Sequence, residues 1–332
     1  MLAPHAVTDG LDWVLDRAIV PGYTRIGSRL RRHWWPADPR PHALAGRAVA
    51  ITGANSGLGL ATALGAARLG AEVHLVCRSP ERGEEARAGI GAQVPGAALV
   101  VDVCDVADLS SLPSFAADLA ARVPRLHALV HNAGVLPPER TETPDGHELT
   151  LATHVLGPHL LTHHLRGPLG ADGDGRVVFV ASGGMYTQPL RVDDPEYTRG
   201  SYSGTAAYAR TKRMQVHLAE AWAGELGSEG VVVHAMHPGW ADTPGVRGSL
   251  PGFRTVTGPL LRSAEEGADT IVWLVAADEP AVSTGRFWHD RRSRTTAYRA
   301  ATRPSAAQVR ALWDLCVRST GVPPHEGGPV RA

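Results

Sequence analysis

From residue 47 onward the chain alternates short apolar runs of strand composition with longer stretches of helical spacing. Strand candidates are residues 47–52, 72–77, 98–102, 126–131, 176–182, 231–237 and 284–289. Helical segments lie near 57–69, 80–92, 106–122, 146–166, 204–226, 264–277 and 305–318. The strand runs are continuously apolar, the pattern required of parallel strands covered on both faces of a sheet. Seven of them joined by helical crossovers predict an α/β fold built on a doubly wound, seven-stranded parallel sheet. No second run of strands follows. Residues 46–320 therefore read as one domain, with a helical arm at 1–45 before it and a tail at 321–332 after it.

Residues 52–59 read TGANSGLG, after the first strand and at the opening of the first helix. Gly53, Gly57 and Gly59 permit a tight turn and let the backbone approach a pyrophosphate resting on the helix N-terminus. Asn55, Ser56 and Leu58 belong to the same loop, the dinucleotide-binding turn of a Rossmann fold. At the end of the second strand an acidic residue would bind a ribose 2′-hydroxyl, whereas a basic one accommodates a 2′-phosphate. Arg78 stands there, with no carboxylate before Glu81, so NADP(H) is favoured over NAD(H). Asp102 and Val103 close the third strand, where a carboxylate can accept from an adenine amino group. Asn132, Ala133 and Gly134 close the fourth, where small residues let backbone lie against a ribose.

The fifth strand finishes with Ser182, and Tyr208 and Lys212 follow on the next helix. Their spacing puts phenol and ammonium on one helix face. Lys212 is the single lysine among 33 Lys and Arg residues. A slender ammonium fits sites that a planar guanidinium cannot enter. A phenol near its ordinary pKa of about 10 is a weak acid or base at neutral pH. A neighbouring ammonium and an oxidised nicotinamide both favour the phenolate. Tyr208 can then exchange a proton with a substrate oxygen that Ser182 holds, while the cofactor carries hydride.

Taken in order, TGANSGLG, Asp102, HNAG, Ser182, YARTK and His237-Pro-Gly239 make the chain resemble the short-chain dehydrogenase/reductase family over roughly residues 46–290. The resemblance implies that Lys212 also binds the nicotinamide ribose, and that Pro238, Gly239 and Thr243 lie by the nicotinamide. The segments HLVCR, ASGGM, YARTKRMQ, MHPGWADTPGV, EGADT and GRFWHDR are similar to an orphan subgroup that also carries an arm before its first strand. Two positions depart from the family. His154 stands where an Asn usually steadies a water chain from the lysine, so a proton relay there would run through an imidazole. Ser182 and Tyr208 are separated by an insertion at 185–204 with Tyr186, Tyr197 and Tyr202, expected to form a flap over the substrate.

The expected reaction is hydride transfer between NADP(H) and an apolar, lipid-like carbonyl or alcohol, with Trp240, and Leu250 and Phe253 of a lid at 242–262, suiting such a substrate. The competing function is an NAD(P)-binding sensor or scaffold without turnover. Zero formal charge and a pI of about 7.3 give no field that attracts nucleic acid. Three separated cysteines indicate free thiols and not a disulfide frame. His159, His163 and His164 lack a further ligand, so no metal is expected, and their helix is one the resembling fold commonly uses in a subunit contact. A homo-oligomer is expected. Asp9, Asp12 and Asp16 interrupt any apolar signal segment, which points to a cytoplasmic protein. Arg25, Arg29, Arg31 and Arg32 before Trp34-Trp35 have the composition of a membrane-surface helix. The plainer reading of the arm is that it packs on its own domain or on a partner subunit. Arg291, Arg292 and Arg294 read as a solvated basic patch.

Overall fold

The computed structural model describes residues 4–242 and 258–322. Three short helices come first: α1 (Pro4–Arg17), α2 (Ile19–Tyr23) and α3 (Arg25–Arg31). The sheet then begins with β1 (Ala48–Thr52), α4 (Gly57–Arg68), β2 (Glu72–Cys77), α5 (Pro80–Gln93), β3 (Leu99–Val103), α6 (Leu112–Arg122) and β4 (Leu126–His131). One helical run carries α7 (Leu149–Leu151), a π-helical turn at Ala152–Leu156, and α8 (Gly157–His164). After α9 (Arg166–Gly170) come β5 (Arg176–Val180), α10 (Gly204–Leu226), β6 (Val232–Met236), α11 (Ala264–Ala276), β7 (Arg286–His289), β8 (Arg292–Arg294) and α12 (Ala306–Thr320).

The strand order is β3-β2-β1-β4-β5-β6-β7-β8. The first seven strands are parallel, as the apolar runs require. Every residue of β1, β4 and β5 is buried. Their side chains alternate between two cores. Ala50, Leu129, Val177 and Phe179 join the helices α6, α8, α10 and α12 on one face. Ile51, Val130, Val178 and Val180 join α4 and α11 on the other. Each large side chain so buried contributes about 1.5–3 kcal/mol. The order reverses between β1 and β4, which opens a crevice at the carboxyl ends of those strands.

The sheet has one strand more than the sequence pattern predicts. β8 pairs antiparallel with β7, His289 opposite Arg292, through a two-residue turn. Asp290 and Arg291 both take positive φ, 51° and 53°, the conformation of a hairpin turn whose twist matches its strands. The basic run in that hairpin is not a solvated patch. Arg291 bonds Asp269 through two nitrogens, and Arg294 bonds Asp12 of α1 at 2.5 and 2.9 Å. Arg292 reaches Asp9 and Asp12. The acidic residues of the arm are thus the counterions of the β7–β8 hairpin.

Arg31 links arm and sheet most deeply. Its fully buried guanidinium donates to Asp12 at 2.8 Å, to the Gly22 carbonyl at 2.7 Å and to Asp290 at 2.8 Å. At the other end of the chain, Trp313 of α12 packs on His159 of α8 and Trp222 of α10, with ring centroids 5.0 Å apart in both pairs. The His159 side of α8 is therefore covered by the chain's own last helix, while His164 stays exposed.

Candidate active site

The crevice between β1 and β4 deepens into a cavity of about 650 Å³. The turn after β1 is held by glycine geometry. Gly53 and Gly57 have φ of 67° and 54°, and an added Cβ on Gly53 would stand 3.0 Å from the Ala133 Cα. Gly53, Asn55, Ser56, Gly57 and Leu58 line the cavity. Gly59 lies behind them, where a Cβ would come within 2.5 Å of the Asn132 amide nitrogen and closer still to the Gly53 carbonyl oxygen. Its role is close packing of α4 on the turn. Asn132, Ala133 and Gly134 form the opposite wall. The Thr52 hydroxyl accepts from the Asn132 and Ala133 amides at 3.0 Å, and the Asn132 side chain donates to the Thr52 carbonyl at 2.9 Å. These residues fit a dinucleotide: a glycine cradle, the N-terminus of α4 and a cavity long enough to cross the sheet.

At the β2 end the cavity reaches Arg78, Ser79 and Arg82. Arg78 is well exposed and its guanidinium stands 3.7 Å from Asp105. Arg82, on the first turn of α5, went unnoticed in the sequence, although it lies one helical turn beyond Ser79 on the same face. The β3 end corrects an expectation. Asp102 and Val103 do not line the cavity; Cys104, Asp105 and Val106 do. The Asp102 carboxylate is buried and accepts from His74 and Arg122 at 2.7 Å each. Burial works to raise its pKa, but the bonds and charges of His74 and Arg122 outweigh it and hold the carboxyl below its usual range. The strand turns away one residue later than the apolar pattern implies, so Asp105 occupies the expected place.

At the β5 end Ser182, Tyr208 and Lys212 line the same cavity, with Pro238 and Gly239 beside them. Ser182 accepts from the Gly184 amide at 3.1 Å, which leaves its own hydrogen to give. Burial raises the Tyr208 phenol above its ordinary pKa, and a hydrogen bond from Ser182 counters part of that. The Lys212 ammonium is almost wholly buried and stands 5.5 Å from the centre of the Tyr208 ring. It donates to the Val180 carbonyl at 2.8 Å and to Gln215 Oε1 at 2.9 Å. An ammonium has three donors, so one remains. Burial pushes Lys212 down to about 7.

His154 lies beneath this group, fully buried in the π-helical turn. Its Nε2 accepts from the Val135 amide at 3.0 Å. The hydrogen therefore sits on Nδ1, 2.8 Å from the Thr211 hydroxyl to which it donates. Burial, and then the Lys212 charge, lower the imidazole well below its ordinary value, so it is neutral. Both ring nitrogens are engaged, pinning the turn after β4 to α10.

Around the substrate end, Thr187, Thr205 and Trp240 line the cavity, whereas the tyrosines of the 185–204 insertion do not. Tyr186 donates to the Thr295 carbonyl at 2.6 Å, and Tyr202 donates to Glu148 at 3.0 Å. Tyr197 stacks against Tyr202 and under Arg210. They fasten the insertion to its neighbours and do not face a substrate. Thr243, Leu250 and Phe253 lie outside the described residues. The arm packs behind this end of the cavity without lining it. The Tyr23 carbonyl accepts from the Trp240 amide at 2.7 Å. The Tyr23 ring lies so close to Gly183 that a Cβ there would meet its edge at 2.8 Å.

A family model described as short chain dehydrogenase matches residues 47–251. Human dehydrogenase/reductase SDR family member 12 is 40% identical over 262 residues, covering 79% of this chain and 82% of that protein. Retinol dehydrogenase 12 of Bos taurus is 32% identical over 281 residues, 84% of this chain and 88% of its own. A solved protein from Beutenbergia cavernae, with bound NADP at low occupancy, superposes with a TM-score of 0.58 at 29% identity, covering 74% of this chain and 96% of its own.

Proposed function

The chain belongs to the short-chain dehydrogenase family and is an NAD(P)-dependent oxidoreductase, and from that premise we propose that it reduces apolar carbonyl compounds with NADPH. The observation that carries this reading is the convergence of Ser182, Tyr208 and Lys212 in one cavity with the glycine turn. When bound, the nicotinamide supplies or takes up the hydride. The remaining steps fall to side chains of this chain. Ser182 turns the hydrogen it gives the Tyr208 phenol towards the substrate oxygen and holds that oxygen beside the phenol. Tyr208 is protonated at neutral pH, because burial raises its pKa, and gives that proton to the oxygen as charge develops there. Lys212 steadies the phenolate left behind and turns its third donor towards the cofactor ribose. His154 is a positioning residue here. It fixes the wall formed by residues 132–134 against α10 and keeps Lys212 in line.

Arg78, Ser79 and Arg82 support a 2′-phosphate, since two guanidinium groups and the N-terminus of α5 meet at one end of the cavity. Trp240 at the other end, and a relative named for retinol, support an apolar substrate. No helix among the described residues is long and apolar enough to cross a membrane. A homo-oligomer would have to use a surface other than the His159 side of α8.

The test is NADPH consumption with a panel of apolar aldehydes and ketones beside polar sugars. Tight NADPH binding with none of them consumed would overturn the reductase reading in favour of a non-catalytic sensor. Arg78→Glu is expected to raise the KM for NADPH about 10–100-fold, the worth of one charge-assisted contact, while leaving that for NADH within a few fold. An unchanged ratio of the two KM values would remove Arg78 from the cofactor site.

A further inference from the structure

The arm separates its side chains by chemistry between an inner and an outer face. Eight of the eleven large hydrophobic side chains that the described residues leave exposed lie between residues 7 and 30, each 39–61% exposed. Leu11, Trp13 and Val14 stand outward on α1, and Ile26 and Leu30 stand one helical turn apart on α3. The carboxylates are turned the other way. Asp12 and Asp16 are buried against Arg31 and Arg294, and Asp9 pairs with Arg292. The cations left on the surface are Arg17, Arg29 and Arg32. Arg17 lies with its guanidinium 4.0 Å over the exposed Trp13 ring.

We propose that this outer face docks the protein on an anionic lipid surface. Isolated exposed hydrophobes are ordinary in a soluble protein, but a contiguous run of them marks an interaction site. The occupant follows from charge. Apolar side chains interleaved with arginine, with Asp12 and Asp16 turned inward and the exposed Asp9 paired with Arg292, match the boundary between acyl chains and anionic headgroups. A second copy of the chain fits less well, because a two-fold contact on this face would crowd the exposed Arg29 and Arg32 of both copies against one another. The arm lies on the surface and does not cross it, since α1 has 14 residues and keeps carboxylates on its inner face. The inner face of the same arm touches Trp240 and Gly183, so docking would bring the substrate end of the cavity beside the lipid. The docking itself does not depend on the oxidoreductase reading.

Deleting the arm would be a poor test, because it removes the buried Tyr23 and Arg31. The full chain is instead floated with vesicles of three parts phosphatidylcholine to one part phosphatidylserine. Wild type is expected to float with them. The combined variant Trp13→Ser, Val14→Ser, Ile26→Ser, Leu30→Ser is expected to lose about tenfold in bound fraction. It should stay folded, as its thermal unfolding transition checks, and keep the wild-type NADPH affinity, because the four side chains are half-exposed and none lines the cavity. Arg17→Ser, Arg29→Ser, Arg32→Ser should lower binding to these vesicles and leave the weaker binding to pure phosphatidylcholine unchanged. Wild type that fails to float, or a fourfold Ser variant that floats as well as wild type, would overturn the proposal. Sedimentation showing a dimer that the same variant converts to monomer would reassign the face to a second copy.

Discussion

Tyr208→Phe is expected to lower kcat for carbonyl reduction by about 10²–10⁴-fold, with NADPH affinity unchanged. The magnitude rests on Tyr208 being the proton donor beside Ser182. The cysteines of the cavity, Cys77 and Cys104, lie at the β2 and β3 ends, and burial pushes Cys104 up to about 12. Arg78, Arg82 and Asp105 share that distant end. Single-turnover oxidation of bound NADPH with an aldehyde separates the chemical step from binding. A variant within about threefold of wild type would mean the proton comes from elsewhere. The companion change, Lys212→Arg, preserves charge and yet is expected to lose about a hundredfold in turnover. The Lys212 nitrogen is held between the Val180 carbonyl and Gln215, and it would stand 3.7 Å from a Cβ on Gly134. A planar guanidinium cannot keep those contacts in that space. Turnover near wild type in Lys212→Arg would show that any cation serves.

The second large effect is expected far from the chemistry. Asp290→Asn should destabilise the protein by about 3–5 kcal/mol, the usual consequence of breaking a buried ion pair from one side. Asp290 is buried and receives Arg262 at 2.6 and 2.9 Å and Arg31 at 2.8 Å. Burial alone would raise its pKa, but the two guanidinium groups and His289 hold it well below the carboxylate range. A carboxyl depressed on folding stabilises above its unfolded pKa, about 3.9, and loses that contribution as pH falls towards its folded value. The gap between wild type and Asp290→Asn should therefore be full at neutral pH and narrow below about pH 4. At roughly 2–4 °C per kcal/mol, the thermal midpoint at pH 7 should fall by about 10 °C. A fall of less than about 2 °C would show that Arg31 and Arg262 are satisfied by carbonyls alone. Arg262 also donates to the Pro238 carbonyl at 3.2 Å, and a bridge from Arg262 to Ala241 closes the base of the segment beyond Trp240. The variant should accordingly raise the KM for carbonyl substrate before it lowers kcat.

Much of the framework was legible in the residues themselves. Strands at 72–77 and 126–131 appear where continuous apolar runs place them. The glycine turn and the Tyr208–Lys212 spacing announce themselves because their geometry is set within four to seven neighbouring residues. Legibility failed where a side chain had a choice of partners. Asp102 and Asp105 are the same residue type three positions apart, and only the turn of the chain after β3 decides which faces the cavity. The insertion tyrosines could have faced a substrate, but carbonyl and carboxylate acceptors on neighbouring segments claimed Tyr186 and Tyr202.

The arm draws the division most sharply. Its helices and its apolar spacing follow from local sequence, and so do its arginines and aspartates. That Arg31 meets Asp290, 259 residues away, does not. Periodicity and turn chemistry act between near neighbours, so the sequence by itself determines the seven parallel strands, the glycine turn after the first of them and the Tyr208–Lys212 spacing. The pairing of buried charges depends on which surfaces the fold brings together and seals from water. Only the tertiary structure could decide that Asp12, Asp16 and Arg31 of the arm turn inward, leaving its apolar side chains and Arg17, Arg29 and Arg32 outside.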